Sequence, residues 1–372
     1  MEILVLGNGF DLAHGLPTKY ADFLIFIQAF TDYHAGRQCK EEYQQFFTAI
    51  KGTPVYDEIV EHISTNNRLL KYFLDIYEER CGRGKTGWID FESEISNIVK
   101  RLEVAKQIVL QENEKANPNV HLPYRVQEIA NAVLLEQKNG TGEFGYFPEG
   151  FEEGNVNALV DGLKRLTRLL EIYLSEYIDR IEIKKRLPEC KEKYTHVISF
   201  NYTNTNQKLY DPSESSIYCY VHGEARKDSS KDQCNMVLGI DEYLPLGARD
   251  SNNSFEWFKK FYQRIYKGTD TNYVDWINGF LDYYERLKMT AKPPCNAIHI
   301  YGHSLDVTDK DVLSSLILLP NTVTNIYCYD NNDYSKKIIN LVKIIGEENL
   351  IKRTQGSKRT IVFVQTQAPE QL

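Results

Sequence analysis

The chain opens with a short apolar run that stops at glycine: Ile3, Leu4, Val5 and Leu6 lead directly into Gly7-Asn8-Gly9. No other feature constrains the fold as strongly. A run of this length ended by glycine predicts a parallel strand, buried on both faces, that enters a tight turn. Without a Cβ, Gly7 and Gly9 allow the backbone to pass close to a ligand. A second small turn follows at Gly15-Leu16-Pro17-Thr18. If a helix begins after the first turn, its free N–H groups and dipole favour an anion such as a pyrophosphate. Leu12 stands where the third glycine of G-x-G-x-x-G would fall, so this is not the loop of an ordinary dehydrogenase. Taken alone, the glycine pair also fits a plain strand-ending turn.

Six further β-branched, apolar runs lie late in the chain: 196–200, 217–221, 236–238, 297–301, 324–329 and 360–364. Several end in small or polar residues (Asn201, His222-Gly223, Gly239, Gly302, Asp330). Strands alternating with helical stretches imply a parallel sheet, whose ligands sit at the carboxyl ends of the strands. Between residues 20 and 190 the periodicity is helical, over 21–30, 41–50, 67–80, 91–111, 124–136 and 156–186. Leu159, Leu163, Leu166, Leu170 and Tyr173 mark one apolar face, which reads as core. A polar break at 139–155 separates two of these helices, and an aromatic-rich helical stretch covers 254–290. The architecture expected is an α/β fold with a Rossmann-like parallel sheet. Residues 1–20 and 191–372 supply the sheet, 21–190 form a large helical insertion and 254–290 a smaller one.

Composition narrows the class of protein. No run of about 18 apolar residues is present, so no membrane span is expected. A basic region followed by an apolar stretch is missing from the start, which argues against a secretory signal. The seven cysteines are scattered, with no C-x-x-C pair, as expected of reduced thiols in a cytoplasmic protein and not of a zinc ribbon. A net charge of −8 disfavours a broad nucleic-acid-coating surface. Lys184, Lys185 and Arg186 read as a solvated helix end.

Four motifs fall where one sheet edge can gather them: Gly7-Asn8-Gly9-Phe10-Asp11 with Gly15 to Thr18; Ser199-Phe200-Asn201-Tyr202-Thr203; Val221-His222-Gly223; and Tyr301-Gly302-His303-Ser304-Leu305-Asp306, with Asp309 and Asp311 beyond. Each has a plain structural reading. An Asn after a strand forms turns or caps helices, a histidine at a strand end is often a hydrogen-bonded core residue, and Asp309 can cap the helix beginning near Lys310.

Taken together, GNGFDLAHGLPTKYADF at the start, Trp88-Ile-Asp90-Phe91-Glu92, FNYTNT at 200–205 and IYGHSLDVTDKD at 300–311 resemble the AbiH family of phage abortive-infection proteins. The same ordered set is similar to the sirtuin-like NAD-binding fold. Gly7, Gly9, Gly15 and Pro17 match its glycine loop and turn, Asn201 its catalytic Asn, His222 its catalytic His, and Gly302, Ser304 and Leu305 its late Gly-x-Ser-Leu motif. Asp11 stands where sirtuins have Ser, and Thr203 where they usually have Asp. Because the zinc-ribbon cysteines are missing, the resemblance implies NAD hydrolysis and not peptide deacylation.

That resemblance implies an antiphage effector that binds NAD, or a related nucleotide, and cleaves its nicotinamide–ribose bond. Asn201, His222 and Asp11 would be catalytic: Asn201 holds a ribose hydroxyl or the water, and His222 acts as general base. Asp11 lies near the cationic nicotinamide ribose. The backbone of Gly7, Asn8, Gly9 and Phe10 would cradle the pyrophosphate, beside Pro17 and Thr18. Gly302, His303, Ser304 and Asp306 would hold the adenosine side. His14 is a further candidate. No metal or membrane partner is implied; a phage-derived trigger and a homo-oligomer are both compatible with this reading. Two rival functions stay open: a nucleotide-sensing scaffold without turnover, and a metal-dependent nuclease using Asp11, Asp306 and Asp309.

Overall fold

In the computed structural model, residues 1–64, 67–82, 89–114, 122–134, 154–191, 194–240, 253–288 and 295–371 are described. Trp88 and most of the polar break at 139–155 lie outside these residues. The strands, in chain order, are β1 (Glu2–Leu6), β2 (Lys185–Arg186), β3 (His196–Ser199), β4 (Ile217–Tyr220), β5 (Asn296–Tyr301), β6 (Thr322–Cys328), β7 (Ile361–Gln365) and β8 (Glu370–Gln371). Six of them form one sheet in the order β4-β3-β1-β5-β6-β7, every neighbouring pair being parallel. Short β2 and β8 pair antiparallel by themselves.

The order is that of a doubly wound sheet. Beginning at β1 the chain builds outward through β3 and β4, then returns to the other side of β1 and builds through β5, β6 and β7. The reversal falls between β1 and β5, where such sheets open their ligand crevice. β1 is central, and its residues 3–6 are buried. Register places Leu4 between Val197 and His299, and Leu6 between Ser199 and Tyr301. Because strand side chains alternate, Ile3 and Val5 enter one core with Ile198, Ile298, Ile300 and Leu313, while Leu4 and Leu6 enter another with Phe10, Val197 and Tyr301.

Two compact units result. Met1–Lys19, Leu174–Ala225 and Lys267–Leu372 make the sheet unit; Tyr20–Tyr173 and Arg226–Tyr266 make the helical unit. Aromatic packing holds the helical unit: Phe91 stacks on Tyr20 at 4.3 Å and on Phe73 at 4.2 Å, and Phe26 meets Phe47 and Tyr173. Among the described residues, no helix is long and apolar enough to cross a membrane.

Three expectations about elements need correction. Met236, Val237 and Leu238 are completely buried but form no strand. They belong to the helical unit, where Gln263 serves as a surrogate partner: its Oε1 accepts from Leu238 N–H and its Nε2 donates to the Leu238 carbonyl. The helix expected over 156–186 ends at Ile172 and continues only as irregular turns to Arg180. Beyond that, Ile181-Glu182-Ile183-Lys184 alternates with period two, the pattern of an extended chain. A helix at Pro54–Ser64 went unforeseen, although Thr53 before Pro54 is an ordinary cap followed by proline at the first helical position.

Candidate active site

Four strand ends are held side by side because the sheet's hydrogen-bond ladder runs on past them. Gly7 N–H donates to the Tyr301 carbonyl, Phe200 N–H to Leu6 and Val221 N–H to Ser199. The residues that follow β1, β3, β4 and β5 are thereby fixed at one edge. These are the stretches carrying Asp11, Asn201, His222 and His303.

The glycine loop does something other than open a row of donors. Gly9 N–H donates to the Gly302 carbonyl at 2.8 Å, and Phe10 N–H to Gly7 at 2.9 Å. With Gly7 bonded to Tyr301, three of the four N–H groups expected to cradle a pyrophosphate are donated within the chain. The close approach that glycine allows here is backbone to backbone. A Cβ on Gly7 would lie 2.5 Å from His303 Cα, and one on Gly302 would lie 2.1 Å from Phe10 N. Gly302 also has φ +70°, which favours glycine. The helix that follows, Gly9–Ala13, has only five residues, so it contributes little dipole.

What the loop does position is Asp11. Its side chain is 1% exposed. Thr203 Oγ1–H donates to Asp11 Oδ2 at 2.6 Å, and Asn201 Nδ2 donates to the same oxygen at 3.3 Å. Thr205 Oγ1–H donates in turn to Thr203. Asn201 is set by a local turn in which Ser199 Oγ accepts from Asn201 N–H and donates to the Asn201 carbonyl. The remaining oxygens, Asp11 Oδ1 and Asn201 Oδ1, are buried without a hydrogen-bond partner. Burial pushes the Asp11 carboxyl up to about 6, against the lowering effect of the Thr203 and Thr205 hydroxyls. An unfilled buried acceptor costs about 1–3 kcal/mol, and here two adjoin.

His222 and His303 form the second half of the site. His222 Nε2 lies 3.1 Å from Asp309 Oδ1, and His303 Nε2 lies 3.4 Å from Asp309 Oδ2. All three residues are buried. The Phe200 ring packs edge-on against both imidazoles, at 5.2 and 4.4 Å, so the residue preceding Asn201 joins the two halves. Asp309 thus meets two histidines instead of capping the following helix, whose N-cap side chain makes no capping bond.

Other expected residues are placed differently. Phe10 is wholly buried among Leu4, Leu6 and Tyr301, as core. Asn8 and Thr18 bond to each other: Thr18 Oγ1–H donates to Asn8 Oδ1, and Asn8 Nδ2 to the Thr18 carbonyl. They and Pro17 close the loop. His14 donates from Nδ1 to the Phe10 carbonyl, and its Nε2 meets the Tyr210 hydroxyl. Burial holds its pKa below the usual value, the bond to Phe10 opposing, so it is a neutral structural bridge. Ser304 is exposed and its carbonyl accepts from Asn340. Asp306 is exposed and caps the turn at Val307–Asp309 by accepting from Thr308 N–H. The trio Asp11, Asp306 and Asp309 does not gather. Among the described residues, no three His, Cys, Asp or Glu side chains are arranged to hold a metal.

Sequence reasoning missed the bridging role of Asp309, because its partner His222 is remote in sequence and no local pattern connects them. Thr203 carried a usable signal as a hydroxyl set opposite an unusual acid. Comparison with curated proteins gives no match, and comparison with solved structures gives none. A family model described as bacteriophage abortive infection AbiH matches residues 3–329.

Proposed function

Because the chain belongs to the bacteriophage abortive infection AbiH family, it has a role in phage abortive infection, and we propose that it fills that role by binding NAD, or a related nucleotide, and hydrolysing the nicotinamide–ribose bond. The observation that carries this reading is the buried Asp11–Asn201 pair, hydrogen-bonded together with one acceptor oxygen left unfilled on each. A ribose hydroxyl is the kind of donor that fills such an acceptor. The nicotinamide leaving group is already cationic, so no acid is needed to expel it. The demand falls on stabilising an oxocarbenium-like sugar and delivering water. An ionised Asp11, held by hydroxyl and amide donors, meets the first demand. Asn201 orients the sugar or the water, and His222 takes the water's proton.

The sirtuin-like resemblance supports the same assignment in an altered form. Where that pattern has a hydroxyl at position 11 and an acid at position 203, this chain has Asp11 and Thr203, bonded at 2.6 Å. Relative to that pattern, the acid and the hydroxyl have exchanged places. Since Gly7, Gly9 and Phe10 direct their N–H groups into the chain, the glycine loop contributes by holding Asp11 and His303 in place, and the diphosphate is recognised by other groups. NAD loss halts metabolism in an infected cell, which is a direct route to abortive infection.

The test is nicotinamide release by the purified protein, with and without phage lysate. Asn201→Ala and His222→Ala are each expected to lower release by about 10²-fold or more while circular dichroism stays unchanged. Wild-type protein that releases no nicotinamide under either condition overturns hydrolysis. Undiminished release by His222→Ala removes it as the base.

A further inference from the structure

We propose that the open edge of β7 is a self-association surface, on which a second copy of this chain pairs its own β7 antiparallel about a two-fold axis at Phe363. The inference is independent of the hydrolytic reading and starts from the hydrogen-bond ladder. Thr324 N–H donates to the Thr360 carbonyl, and Thr366 N–H to the Cys328 carbonyl. In a parallel pair, alternate residues of a strand bond to the same neighbour, so Thr360, Val362, Val364 and Thr366 face β6. The backbone N–H and carbonyl groups of Ile361, Phe363 and Gln365 therefore point away from the sheet. Among the described residues, β6 is the only strand with which β7 pairs.

Natural sheets blunt such an edge with a charge, a proline, a bulge or a cover. At the other edge of this sheet, the Tyr220 carbonyl of β4 accepts from Gly223 N–H in the turn that follows. β7 reads Ile361-Val-Phe-Val-Gln365, with no charge and no proline. Its open groups are arranged to fit themselves. With the axis at Phe363, Ile361 of one copy faces Gln365 of the other, and Phe363 faces Phe363. Each of these pairs exchanges two backbone hydrogen bonds. A register shifted along the strand brings one of the three opposite a residue outside it.

Side chains and charge fit the same occupant. Phe363 packs edge-on against Tyr334 at 4.8 Å. Beside them an apolar groove of about 290 Å³, lined by Ile338, Leu350 and Ile361, opens between the strand and the helices Asn331–Ile345 and Glu347–Thr354. Across the axis the two Phe363 rings share one face of the joined sheet, as an aromatic cross-strand pair. Lys358 and Arg359, both exposed, precede the strand, whereas exposed Asp330 lies at its other end, two residues after Cys328, the partner of Gln365. Antiparallel pairing sets the basic end of each strand beside the acidic end of the other. An isologous interface of this kind closes at two copies.

The test is the mass of the full-length protein by analytical ultracentrifugation, joined to amide exchange read residue by residue. The wild type is expected to be a dimer at about 100 μM and to dissociate on dilution. The amides of Ile361, Phe363 and Gln365 should exchange at least about tenfold more slowly in the dimer than in the monomer, while Val362 and Val364, bonded to β6, exchange slowly in both. Phe363→Lys sets like charges across the axis and is expected to weaken association at least about tenfold. An equimolar mixture with Phe363→Glu should restore it, which shows that both variants fold. A wild type that stays monomeric at about 100 μM overturns the proposal, whatever else uses the edge. So does a dimer whose outward β7 amides stay unprotected, since its interface then lies elsewhere, or a dimer that Phe363→Lys leaves intact. Assemblies larger than two copies overturn the two-fold closure.

Discussion

Asp11 in the sheet unit is fully buried and Glu58 in the helical unit partly so, and the two acids are treated in opposite ways. Glu58 takes a two-pronged contact from Arg168, at 2.8 and 2.9 Å. The same guanidinium bonds Glu171, which is 0% exposed. Burial acts to raise the Glu58 pKa, but hydrogen bonds from His62 and Arg168, and the charge of Arg168, outweigh it and bring the group down to about 2. Asp11 receives hydroxyls and an amide but no cation among these bonds, and burial wins. One acid is neutralised as structure. The other is left with an unfilled oxygen and a pKa within reach of neutral pH, which marks candidate functional groups. Burial alone does not distinguish a site from a core; the completeness of the pairing does.

The most severe way to break this contrast is to unpair the structural network. Arg168→Met leaves Glu171 buried without its cation and is expected to cost about 3–5 kcal/mol, read as a fall in the denaturant midpoint. A loss under 1 kcal/mol would mean that the network holds little. Next in size is Asp11→Asn, where the sign reverses. A carboxyl whose folded pKa is raised from 3.8 to about 6 contributes stability that is present below about pH 4 and lost as pH rises through 6. Replacing it should therefore stabilise the fold above pH 7 by up to about 3 kcal/mol, with no gain near pH 4, while nicotinamide release collapses. Thermal melts across that range check both ends. Glu58 runs the other way: its contribution is present above about pH 4.5 and is lost as pH falls toward 2. The smallest effect belongs to Asp306→Ala, which removes a turn cap worth about 1 kcal/mol; a much larger loss would show that this acid does more than accept from Thr308 N–H.

Much of the sheet could be read from the sequence because strand burial writes itself into composition. The run Ile3 to Leu6 and the runs beginning at His196, Ile217, Ala297, Thr324 and Thr360 each coincide with an observed strand, since a strand covered on both faces must be apolar throughout. Met236 to Leu238 misled for the same reason: burial produced the composition, but a side chain, Gln263, supplied the hydrogen bonds. Within the site, Asn201, His222 and His303 were legible as polar residues closing strands. The fate of the Gly7 and Gly9 N–H groups was not, because it depends on Gly302, nearly three hundred residues away. Nor was the Asp309 bridge, whose partners come from two different strand ends.

The position of β1 has a consequence for the order in which the proposed site is assembled. Its two sheet neighbours begin at His196 and Asn296, so a nascent chain carries β1 with neither neighbour until β3 has been made. Helical contacts, which are local, form early, and domains complete in the order in which their residues emerge from the ribosome. Asp11 gains Asn201 and Thr203 first, and His303 and Asp309 arrive only about a hundred residues later. A polypeptide truncated before that point carries the first acid of the proposed site without the histidine bridge that completes it. On the proposed function, hydrolysis would wait until synthesis has passed Asp309, long after Asp11 has been made.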